Sequence, residues 1–138
     1  YSVGNISFIT PVRHIHLVEN YGMIFKTRKH KIAYITDTRY FEELGSYYQG
    51  DLLMLNLTFL KPRPTPVKPG MPLDHLSMPD AERLIKEIKP KTAILTHFGM
   101  GVWRAKPALV AAELTEKTGI KVIAARDGMT FNLAELDK

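Results

Sequence analysis

Asp37, His75 and His97 each stand where an apolar run gives out, and His14 and His16 lie together in "PVRHIHLVENYG". Carboxylate and imidazole are the donors that hold divalent ions, and imidazole also moves protons near neutral pH. On a strand, residues i and i+2 share a face, so His14 and His16 suit joint chelation; a solvated polar edge would explain them equally well. Asp37, in "KIAYITDTRYF", is either a helix N-cap in a Thr/Asp cluster or a carboxylate at a strand tip ready for a cation. His97 closes "AILTH" ahead of "FGMG". It is either a satisfied structural residue or a metal ligand whose tautomer a second group fixes. His75, in "LDHLSMPDA", either caps the helix that follows or faces a site, while His30 in "TRKHKI" reads as a surface turn.

The elements that must position these residues are legible as hydrophobic patterning. "NISFIT" (5–10) reads as a strand, and "GMIFKT" (22–27) with "KIAYIT" (31–36) as a hairpin around "RKHK". "TRYFEELGSYY" (38–48) reads as a short helix, and "DLLMLNLTFL" (51–60) as a central buried strand. The five prolines of 61–74 exclude regular structure there. "SMPDAERLIKEIK" (77–89) is an amphipathic helix with Ser77 as N-cap and Asp80 in its first turn. "KTAILTH" (91–97) is a buried strand, and "KPALVAAELTEKTG" (106–119) a helix that Gly119 ends. "KVIAAR" (121–126) and "MTFNL" (129–133) read as closing strands around Asp127-Gly128. Apolar strands alternating with helices give an α/β sheet covered by helices on at least one face. Strand ends are where such sheets assemble sites.

Composition narrows the chemistry. With 138 residues, 45% of them hydrophobic, the chain can build one core. No apolar run reaches the roughly 20 residues of a membrane span, which sets the expectation of no membrane association. Cysteine is absent, so any metal sits on His, Asp or Glu, and a cytoplasmic location is expected. The net charge of +5 mildly favours polyanions. Lys61, Arg63 and Lys68 in the proline-rich loop offer a weak nucleic-acid-binding reading, with plain solubility as the simpler explanation.

Taken in order, "YITDT", "DHLSMPDAERLI", "IKPKTAILTHFG" and "RDGMTF" resemble the C-terminal half of a metallo-β-lactamase-fold hydrolase. "HIHLVENYG" resembles the segment before them, in which a ligand His precedes a "yG" hairpin. His16 sits six residues before Gly22, the spacing of the phosphodiesterase and ribonuclease Z branches, which favours His16 over His14. "HLS" followed by "DA" resembles the His-Ser-Thr motif of ribonuclease Z-like phosphodiesterases. The resemblance implies half of an αββα sandwich, with a mixed sheet and helices on one face. It implies two divalent metal ions, with zinc expected and iron or manganese as alternatives. Asp37 would bridge them, with His16 on one and His97 on the other. A metal-activated hydroxide would be the nucleophile, and His75 would contact the scissile phosphate and help the leaving oxygen depart.

Two motifs of that family are missing from this sequence. The metal-binding "HxHxDH" does not occur, so residues 1–138 are expected to form a single segment, the C-terminal half of the domain, with the N-terminal half elsewhere. Where ribonuclease Z-like enzymes carry "HEAT", this chain has Leu55-Asn56-Leu57-Thr58, which turns the expectation from tRNA processing toward a general phosphoesterase. Asn56 is there a possible hydrogen-bond partner for His75. The functional expectation is a phosphodiesterase-like hydrolase acting on a small phosphoester or a nucleic acid, inactive until joined to its other half. The alternative is a non-catalytic binding module that keeps the half-fold. A half-fold alone would expose an apolar face and be oligomeric, paired or poorly behaved.

Overall fold

The computed structural model describes residues 1–62 and 74–138. Its frame is a seven-stranded sheet whose spatial order equals chain order: β1 (Ser2–Val3), β2 (Ile6–Ile9), β3 (Met23–Lys26), β4 (Lys31–Ile35), β5 (Leu52–Asn56), β6 (Thr92–Thr96) and β7 (Lys121–Ala124). The first four strands are antiparallel neighbours, and β4 through β7 are parallel. Parallel neighbours need crossovers, and α2 (Met78–Ile88) and α4 (Pro107–Thr118) supply them. Two short helices complete the connections, α1 (Leu44–Tyr47) between β4 and β5 and α3 (Met100–Arg104) between β6 and α4. A 3-10 helix (Leu133–Asp137) closes the chain.

Side-chain alternation divides the sheet into two unlike faces. Ile24, Ala33, Leu53, Ala93 and Val122 form one row in register, with Ile35, Leu55, Leu95 and Ala124 beside it. The helices cover these rows: Leu44, Leu84, Ile85, Val102, Val110 and Leu114 all join the same core. Each fully buried Leu or Ile there contributes about 1.5–3 kcal/mol. The opposite face carries Phe8, Phe25, Ile32, Tyr34 and Met54. Only its β5–β7 end is covered, by Met129, Phe131, Leu133 and Leu136. At the β1–β2 end, Val3 and Ile6 stay 76% and 46% exposed. The helices on one face and the mixed sheet are the half-sandwich expected from the sequence.

Local sequence explains the best-formed elements. In α2, the Asp80 carboxylate accepts from the Ser77 amide at 2.8 Å, with Pro79 in the first turn where its missing N–H costs nothing. Gly119 ends α4 with φ 71°, a left-handed cap that suits glycine. Gly22 is fixed by close approach, since a Cβ there would run into the Tyr48 hydroxyl and the Tyr34 carbonyl.

Several expectations fail for identifiable reasons. The helix expected over 38–48 is reduced to Leu44–Tyr47. The buried Thr38 hydroxyl accepts from the Ile15 amide at 3.1 Å and donates to the Arg39 carbonyl at 2.8 Å, which ties this segment to 13–21 instead. No strand forms over 129–133; Met129 and Phe131 lie across the open sheet face, and a 3-10 helix follows. The strand expected over 51–60 ends at Asn56. Helix α3 grows out of "GMGVW", which its glycines disguised. His30 is buried, not on a surface turn, and its Nε2 lies 3.3 Å from Asp137. Lys61 is exposed, and Arg63 and Lys68 lie outside the described residues. Among the described residues no helix is long and apolar enough to cross a membrane.

Candidate metal centre

Four segments deliver their side chains to the carboxyl ends of β4, β5 and β6. His97 follows directly on β6, and its φ of 55° turns the chain sharply. Non-glycine residues hold that conformation only where their surroundings impose it. Here the Thr58 hydroxyl donates to the His97 carbonyl at 3.1 Å, and Gly99 passes so close to the Thr58 carbonyl that a Cβ would clash. Asp37 follows β4, and the peptides around it are held from two sides. Asn56 Nδ2 donates to the Thr36 carbonyl at 2.8 Å, and Asn20 Nδ2 to the Asp37 carbonyl at 2.6 Å.

His75 precedes α2. Its neighbour Leu76 donates its amide to Asn56 Oδ1 at 2.9 Å and accepts from the Thr58 and Phe59 amides at 3.1 and 3.2 Å. Asn56 therefore serves the His75 segment through the backbone, not through the imidazole as the sequence suggested. His16 lies in the loop between β2 and β3. The Ile15 carbonyl accepts from the Arg39 amide at 3.2 Å, which anchors the loop beside Asp37.

The side chains so delivered converge on one carboxylate. Asp37 Oδ1 is 3.8 Å from His75 Nδ1 and 3.7 Å from His97 Nε2. The His75 and His97 rings stack at 5.0 Å, and the His16 ring meets His75 edge-on at 5.3 Å. One ligand atom each from His16, Asp37 and His75 lies within 4.8 Å of the others. His97 stands at the open side of this group, its side chain 52% exposed.

These separations are too long for hydrogen bonds. Ligands each about 2.0–2.2 Å from a shared tetrahedral ion are themselves roughly 3.3–3.6 Å apart, so the spacing is close to that of donors around a cation. His16 Nδ1 and His75 Nδ1 are moreover buried with no hydrogen-bond partner. A native fold rarely leaves such groups unpaired without a functional reason. Burial lowers the pKa of His75, with the neighbouring His97 and His16 acting the same way against the opposing pull of Asp37. Its imidazole is thus neutral at neutral pH. The donor set fits a divalent cation.

His14 is no part of this group. It is buried, with Nε2 2.7 Å from the Tyr48 hydroxyl and Nδ1 3.0 Å from the Thr36 hydroxyl. Both ring nitrogens are engaged, whereas His16 keeps one open toward Asp37. Asp37 caps no helix, because none begins there. The N-terminus of α2 is capped by Ser77 and Asp80, not by His75. Asn20, Thr36, Thr38 and Tyr48 escaped the sequence reading. Their signal was weak: polar residues spread over separate short segments, each ordinary alone.

A family model described as the beta-lactamase superfamily domain matches residues 2–98. The chain belongs to this superfamily. Its fold is the metallo-β-lactamase fold, shared with the metallo-beta-lactamase fold protein YhfI from Bacillus subtilis at TM-score 0.76 and 22% identity, covering 94% of this chain and 50% of that one. It is also similar to a diphosphatase of the PhnP family at TM-score 0.63 and 22% identity, covering 96% of this chain and 46% of that one. The short form of human tRNase Z superposes at TM-score 0.65 and 18% identity, covering 96% of this chain and 45% of that one. The chain spans about half the length of these structures. No curated protein matches it. Among the described residues, His16, Asp37 and His75 form a group that could hold a metal ion.

Proposed function

We propose that this chain is the C-terminal half of a phosphodiesterase-like hydrolase with two divalent metal ions, zinc by preference, and that it works in the cytoplasm. The observation that carries the reading is the convergence of His16, His75 and His97 on Asp37, with two buried imidazole nitrogens left open. His16, Asp37 and His97 hold the metals, Asp37 between the two histidines. When bound, the ions supply an activated water as nucleophile and neutralise charge on the phosphate. Asp37 offers the negative charge that makes the pocket attractive to cations. His75 would contact the scissile phosphate, whose negative charge favours the imidazolium, and the imidazolium would give its proton to the departing oxygen and return to the neutral form. The similarity to a PhnP-family diphosphatase and to tRNase Z supports a phosphate ester as substrate.

The rest of the metal site would come from the N-terminal half, whose sheet would cover the face bearing Val3, Ile6 and Phe8. Without that cover, the chain would associate with copies of itself through the same face.

The test is metal content and turnover of bis-p-nitrophenyl phosphate, measured on the protein with both halves joined. Two bound ions and activity are expected. His97→Ala and His16→Ala should each lower metal content, and His75→Gln should keep the metal and lose turnover. Absence of both metal and turnover in the joined protein would overturn the hydrolase reading and favour a binding module.

A further inference from the structure

Beside His97 the surface opens into a groove that the proposed chemistry has not used. A cavity of about 400 Å³ is lined by Thr96, His97, Phe98, Trp103, Arg126 and Asp127, among others. A second, of about 660 Å³, lies between α3, α4 and β7. Trp103, Ala125 and Arg126 line both, so the two adjoin, and together they make a channel-like surface beside His97. The larger lies within the range of small-molecule sites, about 300–1,000 Å³.

The lining is chemically lopsided. Its floor is made of small apolar residues, Ala108, Ala111 and Ala124 among them, which leave room rather than fill it. Its charged residues are Lys106 and Arg126, both exposed, and no carboxylate joins them there; Asp127 lines only the smaller cavity. On its wall stands Trp103, the single tryptophan of the chain, 64% exposed. A large aromatic held in water beside two cations suits a flat ring bearing a negative charge.

The wall is also rigidly placed. The Trp103 amide donates to the Gly99 carbonyl at 2.9 Å, and the Lys106 amide to the Trp103 carbonyl at 3.1 Å. Lys106 has φ 62° and His97 φ 55°, so the short helix bearing Trp103 is flanked by two left-handed non-glycine residues. Such strain gathers at ligand clamps. Here it sets the course of the backbone from His97 through Trp103 to Lys106.

We propose that this channel is a nucleotide subsite: it receives the nucleoside phosphate that a phosphodiester substrate carries beyond its scissile group. The base stacks on Trp103, and the phosphate meets Arg126 and Lys106. Stacking on an aromatic side chain tolerates any base, so the site selects nucleotides as a class rather than one sequence. The guanidinium of Arg126 can take two phosphate oxygens at once, while Lys106 adds a point charge. The proposal rests on the phosphodiesterase reading for its purpose but not for its detection.

The test is fluorescence of Trp103 in the protein with both halves joined, stripped of metal with EDTA so that no turnover intervenes. A Trp103→Phe variant supplies the background from any other tryptophan. Adenosine monophosphate should quench the emission saturably, adenosine more weakly, and inorganic phosphate should compete without quenching. Arg126→Gln and Lys106→Gln should each weaken the monophosphate by about tenfold and narrow its advantage over adenosine. Circular dichroism checks that these variants fold. An unchanged emission, or quenching indifferent to both variants, would overturn the subsite. Turnover of bis-p-nitrophenyl phosphate by the metal-loaded protein, measured in parallel, separates the two ideas. Turnover without quenching sinks the subsite alone, and quenching without turnover keeps a nucleotide site while sinking the hydrolase.

Discussion

On one side of the Thr36–Asp37 peptide, the His14 ring nitrogens meet the Tyr48 and Thr36 hydroxyls, and Thr36 in turn reaches Asn20 and the Tyr21 carbonyl. On the other side, His16 and His75 each keep a buried Nδ1 that meets nothing. The two clusters share a strand end and both contain buried imidazole nitrogens, yet they are satisfied to opposite degrees. A consistent donor chain runs through the first: Tyr48 donates to His14, His14 to Thr36, and Thr36 to the Tyr21 carbonyl. Burial raises the Tyr48 pKa and keeps that hydroxyl a donor. The comparison teaches that polar residue type does not mark a site; unspent hydrogen-bonding capacity does. The satisfied network is the scaffold that holds the unsatisfied one in place.

The sharpest way to break this division is at Asn56, which belongs to the scaffold but touches both ligand-bearing segments. Asn56→Leu keeps the volume and strands the Thr36 carbonyl and the Leu76 amide, costing roughly 1–3 kcal/mol for each group. Urea denaturation should show that loss, together with weaker metal uptake.

The next effect concerns acid. Burial depresses the folded-state pKa of His14 from 6.5 to about 4. Between those values the unfolded chain takes up a proton that the folded chain refuses. Stability should therefore be full above pH 6.5 and fall toward pH 4, by about 3 kcal/mol in metal-free protein. Denaturation midpoints that stay level across this range would show that His14 is not held neutral by its network.

A smaller loss is expected from Tyr48→Phe, about 1–2 kcal/mol, because His14 Nε2 loses its donor while the ring packing survives. Metal content should be unaffected. The smallest effect on stability should come from the site itself. His16→Ala removes a buried nitrogen that had no partner, so metal-free protein should unfold at nearly the same urea concentration as before, or a higher one. Metal uptake should nonetheless fall. A large destabilisation by His16→Ala would erase the distinction between scaffold and site.

Much of this was visible in the sequence, for physical reasons that differ by element. β5 and β6 announce themselves because strands buried on both sides must be apolar throughout. Helix α2 is legible from its apolar period and from Ser77 with Asp80. The strand ends pointed to Asp37 and His97, since each apolar run stops on a polar group, and His75 showed as the polar residue just ahead of α2. What failed to show is what depends on distant partners. The period of 129–133 fits a strand, yet Phe131 gains more by lying across Leu52 and Ile94 than by pairing beyond β7. The choice between His14 and His16 rests on Tyr48 and Thr36, which lie 34 and 22 positions from His14. Asn56 looked like a partner for an imidazole because its two backbone contacts involve segments 20 positions away on either side.

The agreement between chain order and sheet order gives the centre a chronology. Each strand adds beside the one made just before it, so the sheet can grow along a single edge during synthesis, when N-terminal parts fold first. The residues of the proposed site arrive on the same schedule: His16 with the early hairpin, Asp37 after β4, His75 after β5, and His97 only when β6 is laid down. A nascent chain caught before β6 would hold any captured ion on an incomplete set of donors and release it readily, so the last of these strands to emerge also acts as the latch.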